Sequence, residues 1–276
     1  MWLNPIDYFA GLIERETGIV YVESNIFQLK MRLEEFCRIE KISNVDELAK
    51  MFQDQSIQLD QRQRLIDMAT NNETLFFRDP KYFTSIETFI KSEILKTDPR
   101  EIKIWSAASS TGQEALSVAM TLDLLSKKTP LPPYSILATD ICDKALKKCK
   151  SGLYTEFETK RGLSDENREF YFKKEGDLWK ANSDLLSRIK YTYNNLIRSS
   201  VYDTFHIILC RNVLIYQKVD MRKTVVDTLF LQLEENGALL LGAGETLVGI
   251  RDEIKTDMID GISFYKKNKP SFRKIA

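Results

Sequence analysis

Histidine occurs once in the 276 residues, at His206, and cysteine four times, at Cys37, Cys142, Cys149 and Cys210. The cysteines have no metal-ligand spacing. Cys142 and Cys149 are seven apart and share one helix face, which suits packing better than redox or metal chemistry. No metal site is therefore expected. With no disulfide pattern, a reducing compartment is the natural home. Charge of one sign is also missing, since 40 Lys and Arg balance 40 Asp and Glu. No global field draws polyanions, so nucleic acid is not an expected partner. No apolar run approaches the roughly 20 residues of a membrane span. The N-terminus MWLNPIDYFAGLIERE mixes acids and a proline into its apolar residues, unlike a signal peptide. The chain is expected to be soluble and cytoplasmic.

What is present is an ordinary core composition, 43% hydrophobic. The length suits one large α/β domain plus a smaller unit. The central stretch is Ile102 to Met120, IKIWSAASSTGQEALSVAM. An apolar, β-prone start passes through six small residues, Ser106 to Thr111, turns at Gly112 and continues as a helix. Small side chains let a ligand approach the backbone, and the free N–H groups of the first helical turn face it. Glu114 at that helix start would repel a pyrophosphate. It favours a ligand that carries a cation.

Residues 1–72 read as a helical domain. Asn4-Pro5 starts one helix, and Ser24-Asn25 precedes Ile26, Leu29, Leu33 and Phe36 at helical spacing. Ser43-Asn44 starts a third helix, and Gln61 to Met68 suggests a fourth. The second helix, 26–41, carries Lys30, Arg32, Arg38 and Lys41 among Glu34, Glu35 and Glu40. This is either a solvated face or a docking surface for an acidic partner. Residues 73–276 form the second domain. Its compact connector, Leu75-Phe76-Phe77-Arg78-Asp79-Pro80, leads into a helix from Tyr82 to Leu95. Strands follow at Tyr134 to Thr139, Ile189 to Asn195, Phe205 to Cys210 and Ala238 to Leu241. Helices run from Asp143 to Lys150 and from Val219 to Leu233, the latter ending at Asn236-Gly237. The β-α-β-α order predicts a parallel sheet with right-handed crossovers. Glu169 to Lys174 and Leu178 to Lys180, around Glu175-Gly176-Asp177, predict a hairpin in a small antiparallel β insertion of about 164–182. Ile262 to Tyr265 and Ser271 to Ile275 predict a closing antiparallel pair.

In an open parallel sheet, ligands bind beyond the carboxyl ends of the strands. The candidates there are Ser106–Gly112, Asp140, Asn195 and Asn212. An acid at the position of Asp140 can accept hydrogen bonds from both hydroxyls of an adenosine ribose. NAD enzymes and S-adenosyl-L-methionine (AdoMet) methyltransferases both use this arrangement. The glycine-rich fingerprint of a dinucleotide site is absent, as is any catalytic Tyr-Lys or His pairing. Both absences count against an NAD-dependent reductase.

Four motifs then resemble one family. Asn72-Glu73-Thr74-Leu75-Phe76-Phe77-Arg78 resembles the N-x-T-x-FFR segment of CheR-type chemotaxis receptor O-methyltransferases. Trp105 to Glu114, WSAASSTGQE, is similar to their WSAxxSTGEE loop; Ala138-Thr139-Asp140-Ile141 matches ATDI, and Cys210 to Tyr216 matches CRNVxIY. The resemblance covers about Ala69 to Glu245. It implies a Rossmann-like AdoMet methyltransferase sheet with a small helical N-terminal domain. The implied AdoMet contacts are Asn72, Thr74 and Arg78 from the connector, with Arg78 on the methionine carboxylate. Glu114 lies near the ammonium, Asp140 on the ribose, Asn195 and Leu196 around the adenine, and Asn212 and Val213 at the methionine end. The implied reaction methylates glutamate carboxylates of chemotaxis receptors and releases S-adenosyl-L-homocysteine. Such a carboxylate is ionised at neutral pH and needs no general base. Tyr216 is the candidate for positioning it, with a buried aromatic as the alternative role.

Three departures matter. Gln113 replaces the first acid of the usual pair, and Gly242-Ala243-Gly244-Glu245 stands where the family commonly has GHSE. The hairpin at Lys174 to Leu178 is shorter than in members that bind a receptor's C-terminal pentapeptide. Docking without that tether is therefore expected, onto the receptor's cytoplasmic helical domain and through the basic face of helix 26–41. Contact with the membrane then comes only through the receptor. A non-catalytic AdoMet-binding signalling adaptor is the alternative function, and the intact Asn212–Tyr216 motif argues against it.

Overall fold

The computed structural model describes residues 4–251 and 254–267. Four helices open the chain: α1 (Pro5–Thr17), α2 (Ile26–Glu40), α3 (Val45–Gln53) and α4 (Leu59–Ala69). Asn4 caps α1 by accepting the Ile6 N–H at 3.0 Å, and Asn44 caps α3 through Glu47 N–H at 2.9 Å. Their apolar stripes meet in one core of Phe9, Ile13, Leu29, Leu33, Leu48 and Leu65. Arg32 departs from the expected basic face. It turns inward to donate to the carbonyl of Ala69 and the hydroxyl of Tyr21, both at 2.7 Å, which satisfies the end of α4. On the outside, Lys30 faces Glu34 at 3.9 Å, and Arg38 donates to Glu35.

The connector leads to α5 (Lys81–Phe89). The expected single helix to Leu95 widens there into a π turn, Ile90–Ile94, and then a 3-10 turn, Leu95–Thr97. Next come β1 (Ile102–Ala107), α6 (Gln113–Ser126), β2 (Tyr134–Asp140) and α7 (Asp143–Ser151). The insertion follows as β3 (Leu153–Thr155), α8 (Glu156–Lys160), α9 (Asp165–Tyr171), β4 (Phe172–Glu175) and β5 (Leu178–Ala181). After α10 (Ser183–Ser187), the chain returns through β6 (Ile189–Tyr193), β7 (Phe205–Cys210), α11 (Val219–Leu231), β8 (Leu233–Leu241), β9 (Ile254–Ile259) and β10 (Ile262–Lys267).

The main sheet has the order β6-β2-β1-β7-β8-β10-β9. From β6 to β8 it is parallel; β10 runs antiparallel to both neighbours. Trp105 in β1 lies opposite Leu137 on one side and Ile208 on the other, at the centre of the sheet. The chain works outward from β1 to β2 and β6, then restarts at β7 on β1's other side. The crevice at this reversal, beyond the carboxyl ends of β1 and β7, is where such sheets bind ligands.

Three sequence expectations need correction. Glu169 to Tyr171 belong to helix α9, and the hairpin is only β4 and β5. The small sheet also recruits β3, giving the order β3-β5-β4 and a start before residue 164. Asn236-Gly237 do not end a helix but lie inside β8, where the pairing with β7 jumps from Phe205–Leu233 to Ile207–Ala238. Gly237 fits that bulge because a Cβ there would lie 2.8 Å from the carbonyl oxygen of Phe205. The closing antiparallel pair is β9 with β10, joined at Asp260-Gly261. Ser271 to Ile275 lie outside the described residues.

Candidate functional site

The carboxyl ends of β1, β2, β6 and β7 open into a cleft roofed by the connector and by the end of α1. All the cofactor residues expected from the sequence line it: Asn72, Thr74, Arg78, Glu114, Asp140, Asn195, Leu196, Asn212 and Val213, together with Tyr216.

The turn after β1 owes its shape to small residues and three left-handed positions, Ala108 (φ 68°), Ser110 (φ 51°) and Gly112 (φ 92°). A Cβ on Gly112 would lie 2.9 Å from the Cys149 sulfur. Asp140, at the end of β2, fastens the turn: one carboxylate oxygen accepts the Ser110 N–H at 2.7 Å and the other the Cys142 N–H at 2.8 Å. Burial pushes the Asp140 pKa above the usual carboxylate value, and the Cys142 and Ser110 N–H groups oppose that rise only in part. Each oxygen keeps a lone pair for a ligand donor. The Ser110 hydroxyl donates to the Asn72 carbonyl at 2.7 Å, which ties the turn to the connector.

Glu114 is not a free acid. It accepts the Ser106 hydroxyl at 2.7 Å and pairs with Arg211 at 3.1 Å. The Arg211 side chain is 2% exposed, reaches Asp79 at 2.7 Å and the Arg78 carbonyl at 2.8 Å, and stacks 4.0 Å from the centre of the Tyr82 ring. Arg211 therefore binds α6, the connector and the end of β7 into one unit. Glu114 and Asp79 are both paired with it, and Arg78 has no acid partner among the described residues. The network was missed from sequence, although Arg211 sits inside the CRN motif.

The connector is partly buried, as its composition suggests, with Phe76 fully inside and Asp79 and Pro80 exposed. Phe76 meets Tyr154 and Phe172 edge-on, and a Cβ on Gly162 would fall 1.7 Å from the Phe76 carbonyl oxygen. The insertion thus packs directly on the connector. Asn195 lines the cleft with its side chain already engaged. Its amide donates to the Glu16 carbonyl at 2.6 Å and caps the following turn through Ile197, so Leu196 supplies the apolar wall.

The helical unit closes the same edge of the sheet. Asp67 accepts the Asp143 and Lys144 N–H groups at 3.0 Å each, at the start of α7 where the helix dipole favours an acid. Ile19 pairs with Gln217, and the Val20 N–H reaches the Tyr216 carbonyl at 2.9 Å. The Tyr216 hydroxyl accepts from Asn71 at 2.9 Å.

A buried polar side-chain atom with no partner in the fold calls for an explanation. Of eight such side-chain atoms among the described residues, four are on cleft-lining residues: the Ser109 hydroxyl, the Asn194 amide nitrogen, Arg211 Nε and Gln217 Oε1. A deep carboxylate, an apolar wall, an unpaired arginine and unsatisfied amides together fit a nucleoside joined to an amino acid, as in AdoMet.

Fold and cleft together define a Rossmann-like, AdoMet-dependent methyltransferase. Residues 72–260 match the CheR methyltransferase, SAM binding domain. The chain is 38% identical over 251 residues to chemotaxis protein methyltransferase 1 of Vibrio cholerae, an alignment spanning 90% of each chain. It is 36% identical over 252 residues to the chemotaxis protein methyltransferase of Vibrio anguillarum, again 90% of each. A Pseudomonas putida chemotaxis protein methyltransferase is 31% identical over 89% of this chain and 91% of its own. The chain belongs to the CheR methyltransferase family, and AdoMet is its cofactor.

Proposed function

We propose that this protein methylates glutamate side-chain carboxylates of chemotaxis receptors, giving glutamate methyl esters and S-adenosyl-L-homocysteine in the cytoplasm. The observation that carries the reading is that, among the described residues, no histidine or lysine lines the cleft and its acids are engaged, Glu73 by Arg161 at 3.3 Å. His206 lies at the amino end of β7, the end away from the cleft, and its Nδ1 accepts the Lys103 N–H at 3.1 Å. Burial lowers its pKa further. Glu114 is paired with Arg211, and Asp140 is tied to backbone amides. An amine or alcohol acceptor would need to lose a proton, whereas a glutamate, with a pKa of about 4.3, arrives ionised.

AdoMet supplies a methyl group on a positively charged sulfur, so transfer to a carboxylate neutralises both partners. Asp140 holds the ribose hydroxyls, and Asn195 and Leu196 flank the adenine. Asn72, Thr74 and Arg78 close from the connector, Arg78 on the methionine carboxylate as a two-pronged donor. Glu114 faces the ammonium with its charge shared by Arg211. Asn212 and Val213 bound the methionine end. Tyr216 orients the acceptor carboxylate, whose desolvation costs several kcal/mol unless a donor meets it. Thr17, Ile19 and Asn71 wall the cleft from the helical side and exclude water there. Alignment of the reactants is the main catalytic contribution, up to roughly 7–11 kcal/mol in favourable cases.

Lys30 and Arg38 on α2 and Lys41 at its C-cap, beside the exposed Phe27 and Met31, form the proposed face for the receptor's helical domain. The short β4–β5 hairpin supports docking without a pentapeptide tether. Labelled AdoMet incubated with receptor-enriched membranes should leave base-labile methyl ester on a receptor. Label on a different protein, or label stable to base, would refute the substrate assignment.

A further inference from the structure

The Gly242-Ala243-Gly244-Glu245 segment has no part in the chemistry above, yet Glu245 is bonded to the turn that forms the wall of the cleft. Backbone amides hold its carboxylate. One oxygen accepts the Asn212 and Gly242 N–H groups, both at 2.7 Å, and the other accepts Val213 at 2.9 Å and Ile215 at 3.3 Å. Asn212 is left-handed (φ 59°), and Val213 is right-handed (φ −119°, ψ −49°). That alternation turns successive N–H groups to one side and makes an anion-binding nest. Here the bound anion is the chain's own carboxylate. Gly242 makes room for it, because a Cβ there would sit 2.8 Å from the Glu245 oxygen and 2.9 Å from the Asn212 nitrogen.

Asparagine is one of the few non-glycine residues that adopt the left-handed region, and the bond from the Asn212 N–H to Glu245 fixes it there. The enforced turn carries Asn212, Val213 and Tyr216, all of which line the cleft. On its other side, Val20 and Asn71 hold Tyr216. We infer that Glu245 is a positioning residue for methyl transfer, a clamp that keeps the Asn212–Tyr216 turn in the shape that presents Tyr216 to the acceptor. The inference rests on the proposed methyl transfer. The buried strand residues Leu239 and Leu240 are separate from the clamp, so its loss shifts the turn and leaves the sheet folded.

Two variants test it in the full chain. Glu245→Gln sets an amide nitrogen against two N–H donors and loses two of the four bonds. Gly242→Ala keeps the acid but crowds it out of the nest. Turnover with labelled AdoMet and receptor-enriched membranes is divided by the stoichiometry of S-adenosyl-L-homocysteine binding, so that only binding-competent molecules count. Both variants should lose about 10- to 100-fold in kcat per competent molecule, the scale of a displaced reactive geometry, with a smaller change in KM for AdoMet. A purely structural role lowers the stoichiometry and leaves kcat per competent molecule at the wild-type value; that result overturns the inference. If Glu245→Gln fails to fold, Gly242→Ala decides alone. The wild-type protein is scored separately. Failure to label a receptor counts against the proposed acceptor, while the variant-to-wild-type ratio on whichever acceptor is labelled judges the clamp.

Discussion

Replacing Asp140 by alanine tests the cofactor site where its geometry is tightest. The carboxylate is 6% exposed and already accepts two backbone N–H groups, from Ser110 and Cys142. A ribose diol adds donors to the remaining lone pairs, and a hydrogen bond to a charged group contributes about 1.5–3 kcal/mol. The alanine variant also frees Ser110 from its left-handed conformation, which relaxes the unliganded turn and offsets part of the loss. A net weakening of about 2 kcal/mol follows, or roughly 30-fold in Kd. Calorimetric titration with S-adenosyl-L-homocysteine at pH 7 measures it directly. The pH dependence gives a second arm. Because burial raises the Asp140 pKa, wild-type affinity should begin to fall on acidification above the ordinary aspartate value of about 3.9. The alanine variant should lack that component. The sign for stability is opposite. A raised folded-state pKa means that Asp140 favours the unliganded fold most below its unfolded pKa, and the benefit fades as pH rises through the folded pKa. An affinity within about twofold of wild type would remove Asp140 from the site.

Other expectations concern the surrounding network. Arg211→Met leaves Glu114, 13% exposed, without its cation; loss of one partner of such a buried pair should cost about 3–5 kcal/mol in urea unfolding. A cost under about 1 kcal/mol would show that the cleft hydrates Glu114 well enough to replace the pair. Tyr216→Phe removes the hydroxyl that meets Asn71 and should lower turnover while S-adenosyl-L-homocysteine affinity holds. Equal rates with a receptor fragment would make Tyr216 a packing residue only.

The parts of the fold legible in the sequence were those where one signal dominated. Phe205 to Cys210 is a continuous apolar run because β7 is covered on both faces, and the Asn4 and Asn44 caps mark true helix starts. The misreadings fall where local patterns compete. Glu169 to Tyr171 precede a genuine strand, and the aromatic run continued the strand pattern back into α9. Asn236-Gly237 carry a helix-stop signature, but the close approach of β7 is what requires the glycine. Three-residue β3 was invisible because its partner, β5, lies far along the chain. In the site, motif residues were legible individually, whereas their partners were not. Arg211 with Glu114 and Asp79, or Glu245 with the amides of Asn212 and Val213, joins segments far apart in sequence. The carboxylate of Glu114 suggests a cationic ligand from sequence, whereas in the fold a cation of the chain itself, Arg211, already neighbours it.

The central claim, that the acceptor is a glutamate carboxylate, is tested most directly by mapping the methylated residue. Receptor treated with this protein and isotopically labelled AdoMet would be digested under mildly acidic conditions and its peptides sequenced by tandem mass spectrometry. The label should sit on glutamate side chains and disappear after brief alkaline treatment. Label on lysine, arginine or a hydroxyl side chain would contradict the account, because among the described residues no histidine or lysine lines the cleft to prepare such an acceptor and its acids are already engaged.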